Sequence, residues 1–313
     1  MENRPDSHVV RDLVARCIEA IERGDKDPVT ASCREAPQLE TRVRQRLAQL
    51  EAMGLLQVEA SAVDPKSIGG FDIVARLGSG GMGVVYHGRQ HEPLRRDVAI
   101  KVIRNGQGNR EIVARFLAER QALALMNHHG IAKLHDAGVT DDAAPYFVME
   151  LVHGVSLTTW CEEREAGLAT RLRLFGEVCH AVQHAHQRGV IHRDLKPSNI
   201  LVVEDGGLAM PKVIDFGVAK AVYDQAEDPA SAAMMTRVGQ VLGTPEYMSP
   251  EQALSQGADV DTRTDVYSLG VVLYELLSGS LPFESARLRT SSAADLERIL
   301  LHEEPPPVDK LAK

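Results

Sequence analysis

Asp194, Lys196 and Asn199 bring a carboxylate, an ammonium and a carboxamide together in one short loop, Ile191-His192-Arg193-Asp194-Leu195-Lys196-Pro197-Ser198-Asn199. The loop lies between a helical pattern and a short strand. Moving a phosphoryl group from a metal nucleotide to a hydroxyl calls for that set of groups. One group must orient the hydroxyl, a cation must hold charge in transit, and a neutral oxygen must serve the metal. A further carboxylate follows in Asp215-Phe216-Gly217. Asn199 and Asp215 supply hard oxygen donors, the type Mg²⁺ combines with phosphate oxygens and water. Asp194 is the group placed to accept or orient the hydroxyl proton. A lone His-Arg-Asp tripeptide arises by accident; the whole string followed by Asp-Phe-Gly does not.

A glycine cluster, Gly78-Ser79-Gly80-Gly81-Met82-Gly83, precedes this loop and fits GxGxxG. A dinucleotide fold would run it from a strand into a helix. Here Phe71 to Leu77 precedes it and Val84-Val85-Tyr86 follows, so it joins two strands and suits a flap over nucleotide phosphates. Glycine lets backbone N–H groups approach phosphate oxygens that a side chain would hold off. On the next strand, Asp97 to Ile103, alternation puts Ala99 and Lys101 on one face and Val98 and Ile100 on the other. Small Ala99 leaves room for a flat base, while Lys101 reaches toward phosphates. Without the flap, Lys101 would read as an ordinary surface lysine.

Taken together, these motifs resemble the eukaryotic-like serine/threonine protein kinases, including those found in bacteria. The resemblance implies an α+β, bilobal protein-kinase fold with a β-rich N-lobe carrying an αC helix and a mainly helical C-lobe. It implies ATP and Mg²⁺ as cofactors and serine or threonine hydroxyls of proteins as acceptors. Glu119, on a helix expected from Glu111 to Met126, is selected as the carboxylate that holds Lys101, with Leu123 and Leu134 packed inward. Tyr146 to Val152 resembles the strand and hinge behind adenine. The backbone of Glu150 and Val152 would bond the base edge, Met149 would back the pocket, and Leu77, Val85, Ala99 and Leu201 would sandwich the ring. Gly78, Gly80 and Gly83 complete the nucleotide set. Lys196 would contact the transferring phosphate, and Thr244 in Gly243-Thr244-Pro245-Glu246-Tyr247-Met248-Ser249-Pro250-Glu251 would bridge Asp194 and Lys196. Asp265 resembles a buried aspartate that ties down the catalytic-loop backbone. Ser249 stands where the family usually has alanine.

Arg193 suggests a switch, because a cation beside Asp194 waits for an anion that a loop phosphate can supply. Thr236 is the first choice for that phosphate within Ala221 to Val241, and Ser231 the second. The resemblance runs from Gly69 to Pro282 and thins after Phe283. It also implies an arginine partner for Glu251, and no residue here can be assigned that role. The C-lobe is therefore expected to be incomplete at its C-terminus. His128-His129-Gly130 replaces the family's His-Pro-Asn and reads as a lobe-to-lobe contact, not a metal site.

The expected domains are a helical extension with a linker at 1–67 and a kinase domain at 68–313, with its N-lobe at 68–150 and C-lobe at 151–313. In the extension, Val9, Val10, Leu13, Val14, Cys17, Ile18 and Ile21 form one apolar stripe and Leu39, Val43, Leu47 and Leu50 another. Of 313 residues, 44% are hydrophobic and 25% charged, with a net charge of -9, which argues against nucleic-acid binding. Four scattered cysteines without a CxxC pair argue against a zinc ribbon or disulfide framework. No apolar leader opens the chain, and the run from Val266 to Leu277 reads as a buried helix, too short and too polar to span a membrane. A cytoplasmic location follows, either alone or as the cytosolic part of a longer anchored protein. Self-association for trans-autophosphorylation is a further expectation. The competing functions are a catalytically silent nucleotide-binding scaffold and a small-molecule phosphotransferase; Gly243 to Glu251 argues against the latter.

Overall fold

Periodicity changes along the chain, and the architecture follows it. The computed structural model describes residues 13, 14, 17, 29, 32, 33, 36, 39–52, 64–80, 83–103, 126–216, 244–254, 260–291 and 293–308. The chain divides into two units, Met1–Asp64 and Pro65–Lys313. In the first, helix α1 (Glu40–Ala52) carries Val43 and Leu47 into a cluster with Leu13, Val14, Cys17, Val29, Cys33 and Leu39. Both apolar stripes of the extension thus contribute to one small core. All four cysteines are free.

The second unit opens with a sheet of β1 (Ser67–Ile68), β2 (Phe71–Gly80), β3 (Gly83–Gln90), β4 (Arg96–Ile103), β5 (Leu134–Val139) and β6 (Pro145–Glu150), in the order β1-β2-β3-β4-β6-β5. Every pairing is antiparallel. Alternate residues, including Phe71, Val84, Tyr86, Val98, Ile100, Tyr146 and Val148, form the core on one face. Ile131 makes only an isolated parallel bridge to Val213, because Ala132 N–H and Gly130 C=O bond the Val213 backbone. The helix expected at Glu111 to Met126 falls almost wholly outside the described residues.

Tyr146 is buried where Gly69 and Gly138 both approach its ring. Gly69 has φ 53, and a Cβ there would lie 1.8 Å from Tyr146 Oη and 2.3 Å from Cζ. Gly69→Ala is therefore expected to cost about 3 kcal/mol, from overpacking plus a left-handed backbone. Denaturant unfolding of the variant checks this; an unchanged midpoint would contradict it.

After the hinge come β7 (Val155–Ser156), α2 (Leu157–Glu163), α3 (Leu168–His186), β8 (Ile200–Asp205) and β9 (Leu208–Val213), with the small sheet ordered β7-β8-β9. On α3, Leu174, Val178, Ala181, Val182 and Ala185 form a buried helical stripe. Beyond lie α4 (Pro250–Leu254), α5 (Thr262–Ser278), α6 (Ser285–Thr290) and α7 (Ala293–His302). Asp261 caps α5 by accepting from Arg263 N, and Gly279 ends it in the left-handed region. The buried face of α5 starts polar, with Thr264, Asp265 and Ser268, and continues apolar with Leu269, Val272 and Leu276. Its apolar part packs in one core with Leu195, Ile200, Val213 and Phe216, the residues that frame the catalytic-type loop. Val266 on the opposite side is 61% exposed. No described helix is long and apolar enough to cross a membrane.

The chain does not lose its packing after Phe283. Leu288, Leu296, Ile299 and Leu300 form a core with Ala253, Tyr267 and Phe283. The arginine–glutamate pair expected at Glu251 falls elsewhere. Glu246 is the buried carboxylate, and Arg289 Nε and Ser285 Oγ each donate to its Oε1 at 2.7 Å. Burial pushes Glu246 up, but these two bonds and the Arg289 charge hold it below the usual carboxylate range. Glu251 is half-buried and accepts from Thr264 Oγ1 at 2.7 Å, so a hydroxyl serves where an arginine was expected.

Candidate active site

Strand register assembles the nucleotide side. Gly78 lies opposite Val85, and Val85 opposite Lys101, in one row across β2, β3 and β4. Ala99 lies opposite Met149 on β6. Residues facing one another across antiparallel strands share a face, so Val85, Ala99, Lys101 and Met149 look the same way. Ala99 is buried; Val85, Met149, Val152 and Leu201 are half-buried; Leu77 is exposed. Gly80 pairs with Gly83 where the two flap strands meet. A Cβ on Gly83 would come within 2.0 Å of Val102 O, so the close strand approach requires glycine there.

Glu150 N–H donates to Lys133 O, which leaves only the carbonyl of this residue to serve a base edge. Its side chain accepts from Lys133 N and pairs with Lys212 on β9. Burial raises Glu150, but the Lys212 bond and charge win and hold it low. The Lys212 partner joins the hinge to the strand leading into Asp215, and motif reading missed it. A spacing rule could not have found a pair 62 residues apart.

Lys101 is buried, and its Nζ lies 2.5 Å and 2.6 Å from the two carboxylate oxygens of Asp215. Among the described residues Asp215 is thus a carboxylate against this lysine. Glu119 lies outside the described residues, as do Thr236 and Ser231.

On the acceptor side, Lys196 Nζ sits 2.9 Å from Asp194 Oδ2 and donates to Thr244 Oγ1 at 3.2 Å. Asn199 Nδ2 donates to Asp194 O at 2.8 Å and to Oδ2 at 3.2 Å. With that nitrogen turned to Asp194, Oδ1 is the carboxamide atom suited to a cation. Asp194, Lys196, Asn199 and Thr244 therefore form one contacting group.

Buried His192 links the two halves. Its Nε2 bonds Ile214 O at 3.0 Å, its Nδ1 accepts from Asp194 N at 3.3 Å, and its ring lies 4.7 Å from that of Phe216. These contacts call for the Nε2–H tautomer. Beneath the loop, Asp265 Oδ2 accepts from His192 N at 2.8 Å and Oδ1 from Arg193 N at 2.9 Å. His186 Nε2 adds a third contact at 2.7 Å. Burial pushes Asp265 up, yet the His186 bond and the two backbone donors hold its carboxyl below the usual range. His186 was not singled out from the sequence, and neither was Gln252, whose Nε2 reaches Arg193 O.

Arg193 and Asp215 both have left-handed backbones, with φ of 63 and 58. Non-glycine residues in that region are held by their surroundings and gather at active sites. The protein kinase domain family matches residues 71–311. This chain belongs to the protein kinase family. The match runs past Phe283, where sequence inspection alone saw it thin, and takes in α6 and α7.

Similar kinases are bacterial. Serine/threonine-protein kinase Pkn1 of Myxococcus xanthus is 43% identical over 242 residues, covering 76% of this chain and 32% of that protein. Serine/threonine-protein kinase PknB of Mycobacterium tuberculosis (strain ATCC 25618 / H37Rv) is 41% identical over 212 residues, covering 66% of this chain and 32% of that protein. The chain thus spans about a third of the length of these two curated relatives. The crystal structure of a double mutant of the Mycobacterium tuberculosis PknI kinase domain superposes with a TM-score of 0.56 at 26% identity, covering 78% of this chain and 82% of that one. Protein kinases use ATP with Mg²⁺ and act on protein substrates. The donor set fits: the Asn199 carboxamide oxygen and the Asp215 carboxylate are hard oxygen donors of the kind Mg²⁺ takes together with phosphates and water.

Proposed function

We propose that this chain is a serine/threonine protein kinase that transfers the γ-phosphate of ATP to protein hydroxyls. The contact group of Asp194, Lys196, Asn199 and Thr244 carries this reading. Asp194 orients the acceptor hydroxyl and takes its proton. Lys196, held between Asp194 and Thr244, offsets charge on the group in transit. Lys101 faces the α and β phosphates, and the backbone around Gly78, Gly80 and Gly83 covers them. Leu77, Val85, Ala99, Met149 and Leu201 enclose the base, and Glu150 and Val152 offer backbone groups to its edge. Asn199 and Asp215 would hold Mg²⁺, which when bound neutralises charge on the triphosphate. Positioning and charge stabilisation then supply most of the acceleration.

The domain at 68–313 carries this activity, and 1–67 is an attached helical extension. Glu119 serves as a second carboxylate for Lys101. Phosphorylation of Thr236, made in trans by a second copy, would set a phosphate against Arg193. The resemblance to serine/threonine kinases, read at Lys196 and Thr244, favours serine and threonine acceptors over tyrosine.

Lys101→Met tests the nucleotide side. Expected is loss of γ-phosphate transfer by about 10²-fold or more, since one preorganised cation is removed from the reacting charge. Transfer by Lys101→Met equal to that of the wild type would contradict this role, and no transfer by either protein would favour the silent scaffold.

A further inference from the structure

Arg193 precedes Asp194 with φ 63, a backbone state unfavourable to a side-chain-bearing residue. It persists only if both of its peptide groups are held from outside. Asp265 Oδ1 takes the N–H at 2.9 Å. The carbonyl accepts from Gln252 Nε2 at 2.8 Å. The other end of the same carboxamide, Oε1, accepts from Ser249 N at 3.2 Å. Ser249 is fully buried, and its Oγ lies 3.4 Å from Thr264 Oγ1, beside Asp265 on α5. A ring therefore closes, running from Arg193 through Gln252, Ser249 and the start of α5 back to Arg193.

We propose that Gln252 is a positioning residue for phosphoryl transfer, one planar amide that fixes the Asp194 loop against the segment carrying Thr244. This rests on the kinase reading of Asp194. The segment from Thr244 to Ser249 is otherwise held to α5, through Ser268 Oγ to Tyr247 O at 2.8 Å and Tyr247 Oη to Glu275 at 2.6 Å, and to α6, where Ser285 and Arg289 donate to Glu246. The catalytic loop is held to α5 through Asp265. Gln252 joins the two hung segments directly, at the end where Lys196 must reach both Asp194 and Thr244. A neutral amide adds no charge to the site, so its effect is geometric. It falls on turnover and not on ATP binding.

Gln252→Leu removes both bonds at similar volume. Gln252→Glu keeps the acceptor toward Ser249 N and sets a carboxylate oxygen against Arg193 O. In the full chain both variants are expected to lower kcat about tenfold, with the ATP KM changed less than about twofold. Amide exchange over residues 190–199 should quicken in both. Wild-type kcat in Gln252→Glu would overturn the proposal. So would a fall in kcat that only follows the loss of folded protein. A wild type without any transfer would count against the kinase reading instead. Exchange over 190–199 would then still decide: faster in both variants supports the link, and unchanged overturns it.

Discussion

Asp194→Asn is expected to lower kcat by about 10³-fold while the fold and the ATP KM stay close to wild type. General-base catalysis by a positioned side chain contributes roughly 10²–10⁴-fold, and this substitution removes the base with almost no change of shape. The carboxylate now accepts from Lys196 and from Asn199. Asparagine keeps one acceptor oxygen but turns an NH₂ donor toward donors already present, so Lys196 is displaced as well. Both losses act on the reacting hydroxyl, not on the nucleotide-binding strands. Steady-state kinetics with a serine- or threonine-containing peptide, beside thermal unfolding, separates the two. A KM for ATP that rises in step with a small fall in kcat would show Asp194 to be a binding residue.

Asp265→Ala is expected to act in the opposite sense, costing about 4 kcal/mol of stability and losing activity as a consequence. The carboxylate is fully buried and serves three donors: the His192 and Arg193 amides and His186. Unsatisfied buried donors cost about 1–3 kcal/mol each, a large share of the roughly 5–15 kcal/mol that keeps a domain folded. Arg193 would then leave its left-handed conformation and take Asp194 with it. The acid dependence follows from the lowered folded pKa of Asp265. Its contribution is present above the unfolded aspartate value of about 3.9 and is lost as pH falls through the lower folded value. The stability gap between wild type and Asp265→Ala should therefore be full at neutral pH and narrow below about pH 4. A gap that stayed constant through that range would mean the carboxylate is not the stabilising species.

The sequence was most legible where chemistry is local. Alternation alone put Ala99 and Lys101 on one face, and the register of β3, β4 and β6 agrees. Asp194, Lys196 and Asn199 share one loop, so their contact needed no knowledge of the rest of the chain. Less legible were pairs whose partners are distant in sequence. Lys212 meets Glu150, His186 meets Asp265 and Gln252 meets Arg193 only because tertiary packing brings separate elements together. Ser249 seemed a small departure from alanine, yet it is buried between Gln252 and Thr264. The arginine was expected at Glu251. Glu246 has Arg289 because α6 packs against the turn at Pro245–Tyr247, and Glu251 has Thr264 on α5.

The central claim is transfer of a γ-phosphate to serine or threonine at Asp194. The most direct measurement labels the wild-type chain and Asp194→Asn with γ-labelled ATP and Mg²⁺, then hydrolyses the protein and separates its phosphoamino acids. Expected is phosphoserine or phosphothreonine from the wild type and essentially none from Asp194→Asn. Phosphotyrosine as the main product, or equal labelling of the two proteins, would contradict it.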